Sequence, residues 1–248
     1  MESPTQRCKE SNSSSRVSIS EIRIERMLTE ENFPIFLTFS ELHGKRFVMK
    51  DFPIEDNQIS PYYQRESCLL PLSHPNIVSV LDCTSETEGY CDGVKVKYSA
   101  VLMEFIPRGT SCKVMTNKMF REDEKLARTY FHQLISAIEY LHSNRIAHMD
   151  LKPANLMLDD NYQLKIIDFD SCHSSRDDLI IGQGTENFRA PELIHDRCKD
   201  PMKCDIFSAG IILFLLKFGC CPYYESSSRD KHQLYETLMN HPEAFWEA

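Results

Sequence analysis

The chain has 248 residues, 42% apolar and 26% charged, which suits one large domain or two lobes around a shared core. Its net charge of −9 disfavours nucleic acid or a lipid surface as partner, because both would repel it. Ten cysteines without paired Cys-x-x-Cys spacing argue against a zinc site, and the polar segment Met1–Arg16 lacks an apolar signal core, so reduced thiols and an intracellular, cytoplasmic location are expected.

Residues 1–20 are Ser-rich without an apolar pattern and are expected to form a disordered tail; Asn12-Ser13-Ser14, an N-glycosylation pattern, is read as part of it. Alternation at Ile22, Ile24 and Met27 predicts a strand. Phe36-Leu37 and Phe47-Val48-Met49 predict two more, joined as a hairpin through His43-Gly44-Lys45. Tyr62–Leu70 reads as a helix closed by Pro71 and His74-Pro75-Asn76. Val78-Ser79-Val80 and Ala100-Val101-Leu102-Met103 read as strands, with the acidic stretch Thr84–Gly93 as a loop between them. From Glu122 to His142 the period becomes helical, placing Leu126, Tyr130, Leu134, Ile138 and Leu141 on one face. Ile166-Ile167 is a short apolar strand, and a polar loop runs from Asp168 to Glu192. A second apolar helix covers about Asp205–Lys217; its run Ala209–Leu216 is too short to span a bilayer, so no membrane insertion is expected. Strands crowd the first part of the chain and helices the rest, which predicts an α+β fold with two lobes.

The segment richest in chemistry is His148-Met149-Asp150-Leu151-Lys152-Pro153-Ala154-Asn155. Its aspartate, lysine and asparagine can converge at one loop. Asp150 can accept a hydroxyl proton, Lys152 can neutralise a phosphate, and the Asn155 amide oxygen can hold a hard cation. The competing interpretation is a surface loop of ordinary polar residues. Against it stands Asp168-Phe169-Asp170, directly after Ile166-Ile167, where a carboxylate beside an amide oxygen suits magnesium. Arg189-Ala190-Pro191-Glu192 and Asp205-Ile206-Phe207-Ser208-Ala209-Gly210 follow.

These motifs, in this order and spacing, resemble those of the eukaryotic protein kinases over about residues 22–247. His148–Asn155 is similar to the family's catalytic loop, His-Arg-Asp-Leu-Lys-Pro-x-Asn. Asp168–Asp170 is similar to Asp-Phe-Gly, Ala190-Pro191-Glu192 matches Ala-Pro-Glu, and Phe47-Val48-Met49-Lys50 resembles Val-Ala-Ile-Lys. The resemblance implies a bilobal protein-kinase-like fold. A small β-rich N-lobe with the hinge would occupy residues 21–105, and a larger helical C-lobe, truncated at its end, residues 106–248. It implies serine/threonine kinase activity: transfer of the γ-phosphate of ATP, with Mg2+, to a protein substrate.

In that frame Asp150 is the base and Lys152 stabilises the migrating phosphoryl group. Asn155 and Asp168 hold magnesium, while Lys50 contacts the α- and β-phosphates and pairs with Glu66. Met103 lies beside adenine, backbone groups of Glu104 and Ile106 bond its edge, and Val48 and Met157 sandwich the ring. Lys152 and the segment Gly184–Phe188 take the Ser/Thr form, with Thr185 bridging Asp150 and Lys152. Asp205 braces the catalytic loop, and His148, Phe169, Leu70 and Val80 stack between the lobes.

Four departures bear on this resemblance. Thr29–Pro34 stands where the family has Gly-x-Gly-x-x-Gly, and with no glycine and with Glu30 and Glu31 present, weakened ATP binding is expected. Asp170 replaces a glycine, adding a carboxylate within reach of magnesium and a backbone less free at positive φ. Met149 replaces the arginine that receives an activation-loop phosphate, so Ser171, Ser174 and Ser175 would lack that partner and the loop is expected to need no phosphorylation. The family's last helices are not expected after Leu234–Met239, so the chain is either a fragment or a kinase with a trimmed C-lobe; Glu192 would lack its arginine unless a regulatory partner completing the C-lobe supplies a base. Cys172, near the metal site, is read as a bystander. The alternative to an enzyme is a pseudokinase scaffold; a small-molecule kinase is disfavoured by the Ala-Pro-Glu segment and the Asp205 helix.

Overall fold

The computed structural model describes residues 17–30, 32–91, 94–109, 121–174, 184–194 and 198–222, with the single positions 240 and 243. Five antiparallel strands form one sheet: β1 (Arg23–Thr29), β2 (Ile35–Ser40), β3 (Lys45–Pro53), β4 (Val80–Cys91) and β5 (Val94–Glu104), in the order β1-β2-β3-β5-β4. The predicted hairpin is β2–β3, turning at residues 41–44 with Gly44 at φ +59°. Period-two alternation splits β3 between two faces. Phe47 and Met49 join Ala100 and Leu102 on one side, whereas Val48 packs with Phe52, Val101 and Met103 against the main core.

Two sequence expectations change here. Residues 17–20 were assigned to the tail, yet Ile19–Glu21 forms a short 3-10 turn. The Ile19 N–H donates to Asp82 Oδ2 at 2.8 Å, and Val17, Ile19 and Ile22 cover the Phe47–Met49 face of the sheet. That face would otherwise expose apolar area to water. Thr84–Gly93 was assigned to a loop, yet up to Cys91 it extends β4 along β5. Glu86 pairs with Lys97 at 2.6 Å, Glu88 with Lys95 at 2.5 Å, and Ser99 Oγ donates to the Ser85 carbonyl at 2.7 Å. A ribbon wet on both faces carries no one-sided apolar pattern, so composition alone does not reveal it.

Helix α1 (Pro61–Ser67) starts on Pro61 and ends earlier than the predicted Leu70, with Cys68–Pro71 continuing as turns. Helix α2 (Glu124–Ser143) is capped by Asp123, whose Oδ1 accepts the Leu126 N–H at 3.0 Å. It buries Ala127, Tyr130, Leu134, Ala137, Ile138 and Leu141. After it come β6 (Ile146–Ala147), β7 (Leu156–Leu158), β8 (Leu164–Ile166) and β9 (His173–Ser174), paired β6–β9 and β7–β8. Helix α3 (Pro191–Ile194) precedes α4 (Pro201–Phe218), which is capped by Asp200 and closed by Gly219 at φ +78°. Helices α2 and α4 pack together, and one core cluster runs from Phe52 and Val101 through Leu134 and Phe169 to Ile212 and Leu216. The architecture is bilobal α+β. Its parts are tied where Val78 N–H donates to the Ile166 carbonyl and Ile166 N–H to the Asn76 carbonyl, both at 2.9 Å. Among the described residues no helix is long and apolar enough to cross a membrane.

Asp51 on β3 yields a pH prediction. Its Oδ1 is buried without a hydrogen-bond partner among the described residues, and burial pushes the carboxyl up to about 7 from 3.8. A folded pKa above the unfolded one means the group destabilises the fold progressively as pH rises from about 4 to 7. Asp51→Asn is therefore expected to stabilise by about 1–3 kcal/mol at pH 8 and far less at pH 5, read by thermal unfolding at both pH values. Equal shifts at the two pH values would contradict this origin.

Candidate active site

The loop between β6 and β7 is organised from beneath by α4. Asp205 is fully buried; its Oδ2 accepts the His148 N–H at 2.8 Å and its Oδ1 the Met149 N–H at 2.9 Å, with His142 Nε2 2.9 Å from Oδ2. Met149 sits at φ 68°, an uncommon conformation for an unbranched apolar residue, and the Asp205 bonds hold it there. His148 accepts the Asp150 N–H at Nδ1 (3.2 Å), so its Nε2 donates to the Ile167 carbonyl (2.9 Å), and its ring meets Phe169 edge-on at 4.6 Å.

These constraints aim Asp150 at Thr185. Oδ1 accepts from both the Thr185 N–H and its hydroxyl at 2.7 Å. Oδ2 accepts from Lys152 Nζ at 2.6 Å and Asn155 Nδ2 at 3.1 Å. Lys152 Nζ also donates to Thr185 Oγ1 at 2.7 Å. Gly184 is required in this turn: it has φ +92°, and a Cβ there would stand 2.6 Å from the Met149 carbonyl oxygen. The Asn155 carbonyl accepts the Ile167 N–H at 3.0 Å, which brings the asparagine beside the residue preceding Asp168.

The opposite wall is a buried cluster on Lys50. Its Nζ lies 2.8 Å from Glu66 Oε2, 2.8 Å from Asp168 Oδ1 and 3.3 Å from Asp170 Oδ2. Burial draws the ammonium pKa down, but the three carboxylates outweigh it and Lys50 holds its proton beyond the ordinary lysine range. Burial raises Asp168, and Lys50 more than reverses that, so its carboxyl is held below the usual range. Burial pushes the fully enclosed Glu66 up against the pull of Lys50. The left-handed residue of this segment is Asp168, at φ 64°, and not Asp170, so the aspartate replacing glycine bears no such strain.

A cleft of about 310 Å³ joins the two halves. Val48, Lys50, Glu66, Met103, Glu104, Ile106, Met157 and Asp168 all line it, together with Asp170. Asp150, Lys152 and Asn155 stand on the catalytic-loop side described above. Glu104 N–H donates to the Ser79 carbonyl (3.0 Å), and its carboxylate accepts from Ser79 N–H and Lys165 Nζ, both at 2.8 Å.

Sequence reasoning missed several of these features. Phe33, from the loop without glycine, packs on Phe52 (4.8 Å) and Tyr62 (5.2 Å), with Lys50 Nζ 5.6 Å from its ring centre. One large aromatic inside a polar stretch was its signal. Asp170 Oδ2 lies 3.3 Å from Lys50 Nζ, a contact that sequence spacing did not suggest. Leu69, not Leu70, is the fully buried residue after α1; Leu70 is partly buried beside the cluster that holds Val80 and Phe169. The Cys204 thiol lies 3.6 Å from Glu192 Oε1. Met149 is buried with Ala147, Ala190, Leu193 and Cys204, an apolar contact to the Ala-Pro-Glu segment at the position where the resembled family has an arginine. Ser171 Oγ donates to Asp170 Oδ1 at 3.1 Å. Residues 1–16, Glu31, Ser175 and Leu234–Met239 lie outside the described residues.

Comparison with known proteins agrees with this geometry. Residues 35–246 match the protein kinase domain. CBL-interacting serine/threonine-protein kinase 5 of Arabidopsis thaliana is 35% identical over 189 residues, covering 73% of this chain and 40% of the relative. CBL-interacting protein kinase 26 of Oryza sativa subsp. japonica is 38% identical over 170 residues (66% and 32%). CBL-interacting protein kinase 32 of the same plant is 34% identical over 197 residues (77% and 42%). The chain thus spans less than half the length of these relatives. With a family match over most of its residues and these relatives beside it, the chain belongs to the protein kinase family.

Proposed function

We propose that the chain is a serine/threonine protein kinase that transfers the γ-phosphate of ATP to a protein hydroxyl. The carrying observation is Lys50, held at 2.8 Å by both Glu66 and Asp168 across 118 residues of sequence. Asp150 orients the acceptor hydroxyl and takes its proton, and Thr185 and Lys152 fix the carboxylate for that task. Lys152 then faces the charge that develops on the phosphoryl group, and Lys50 holds the α- and β-phosphates. Val48, Met157 and the hinge groups of Glu104 and Ile106 receive the adenine in the cleft.

The donor set fits magnesium. Asp168 and Asn155 offer hard oxygen ligands, and among the described residues no cluster of three or more His, Cys, Asp or Glu forms a protein cage. Magnesium is commonly held by one or two protein oxygens, with phosphates and water completing the shell. Bound there, the ion neutralises phosphate charge. The named relatives support the Ser/Thr class, and their names support a regulatory protein partner for this chain as well.

The full chain incubated with radiolabelled ATP, Mg2+ and a protein substrate is expected to incorporate label, and chelation of Mg2+ should stop it. Nucleotide binding without any transfer would reduce the chain to a pseudokinase scaffold. Three carboxylates around one lysine also support weak nucleotide binding. Asp170→Asn removes one negative charge beside the phosphate site and should tighten ADP affinity about tenfold without Mg2+, by calorimetric titration. An unchanged affinity would mean that Asp170 does not oppose the phosphates.

A further inference from the structure

Two cysteines 104 residues apart in sequence meet behind the Lys50 cluster. Cys68 directly follows α1, two positions after Glu66. Cys172 stands two positions after Asp170. Their sulfurs are 4.0 Å apart. Cys172 is 1% exposed and its thiol also donates to the Arg65 carbonyl at 3.4 Å, whereas Cys68 is partly exposed. Arg65 Nη1 in turn donates to the Asp170 carbonyl at 3.4 Å, so the two segments already touch beside the thiols. A disulfide bond is about 2 Å long, so an approach of about 2 Å closes the gap.

We propose that Cys68 and Cys172 are a redox modification site: hydrogen peroxide oxidises them to a disulfide that clamps the helix bearing Glu66 onto the segment bearing Asp168 and Asp170. The partly exposed Cys68 thiol attacks the peroxide, giving a sulfenic acid and one water. The Cys172 sulfur then displaces the hydroxyl from Cys68, and its proton leaves with that hydroxyl as a second water. Two thiols lose two electrons and one peroxide becomes two waters. Hydrogen bonding to Cys68 and burial raise the Cys172 thiol pKa, so the more exposed Cys68, not Cys172, meets the peroxide first.

Cys198 and Cys204 lie closer, at 3.3 Å, but a bond there would close only a short loop at the start of α4 and tie no distant parts together. The Cys68–Cys172 bond would close a loop of about a hundred residues, which restricts the unfolded chain far more.

The test treats the full chain with hydrogen peroxide, quenches it, and maps peptides without reduction. The expected results are a Cys68–Cys172 cross-linked peptide and a Tm raised by about 5 °C and restored by dithiothreitol. Amide exchange over Phe169–Cys172 should slow about tenfold. Cys68→Ser, at the less buried position, should lose all three effects, and Cys198→Ser should keep them. A Cys172 that stays reduced or pairs elsewhere, a Tm that does not rise on cross-linking, or effects that survive in Cys68→Ser would overturn the proposal. None of these readouts requires catalysis, so they stand apart from the kinase reading.

Discussion

Asp150→Asn is expected to lower phosphoryl transfer by about a thousandfold while nucleotide affinity changes by less than about threefold. The asparagine keeps the size of the side chain but cannot take the acceptor's proton. Its amide also mismatches the surroundings. Every group around the Asp150 carboxylate is a donor: the Thr185 N–H and hydroxyl on Oδ1, Lys152 Nζ and Asn155 Nδ2 on Oδ2. One of these pairs would become donor against donor. In the proposed function the nucleotide would instead be held by Lys50 and the other residues lining the cleft, which the substitution leaves in place. Single-turnover transfer and calorimetric binding separate the two effects. Transfer within tenfold of the original would remove Asp150 from the role of base.

The largest stability effect belongs to Asp205→Ala, expected to cost about 3–5 kcal/mol in urea unfolding. The aspartate is fully buried, and its loss strands the His148 and Met149 N–H groups and the His142 ring nitrogen without acceptors. It also frees Met149 from φ 68°, so the loop carrying Asp150 relaxes and transfer falls with stability. Asp205→Asn, which keeps one acceptor oxygen, should cost roughly half as much. A loss below about 1 kcal/mol for Asp205→Ala would mean that the apolar packing of Met149 on Ala190 and Leu193 holds the loop instead.

That packing bears on regulation. An arginine at position 149 would bind a phosphate on the activation segment, whereas Met149 reaches the same segment through apolar contact, which needs no modification. Phosphatase treatment is expected to leave activity unchanged.

Much of the site was legible in the sequence because its chemistry is local. Asp150, Lys152 and Asn155 fall within six residues, so a single loop brings them together whatever the rest of the chain does. The period of Tyr130, Leu134, Ile138 and Leu141 located α2, and the apolar run after Asp205 located α4, because one-sided burial leaves a repeating pattern. The partner of Lys50 was reached only through family resemblance: nothing in the local pattern of α1 distinguishes Glu66 from a solvated glutamate.

Where the reading went astray, the deciding contact was distant or polar on both sides. The Glu86–Lys97 and Glu88–Lys95 pairs turned an acidic stretch into a ribbon, and Ile19 settled onto a sheet face that the tail's composition did not advertise. Asp170 on Lys50, Phe33 on Phe52 and Cys68 beside Cys172 likewise join segments well separated along the chain. The sequence by itself determined which chemical groups the catalytic loop presents and which helices bury one face, since both follow from residues a few positions apart. Tertiary structure alone decided how many carboxylates share Lys50 and which thiols meet behind it, because those distances are set by how the sheet, α1 and the Asp168 segment pack together.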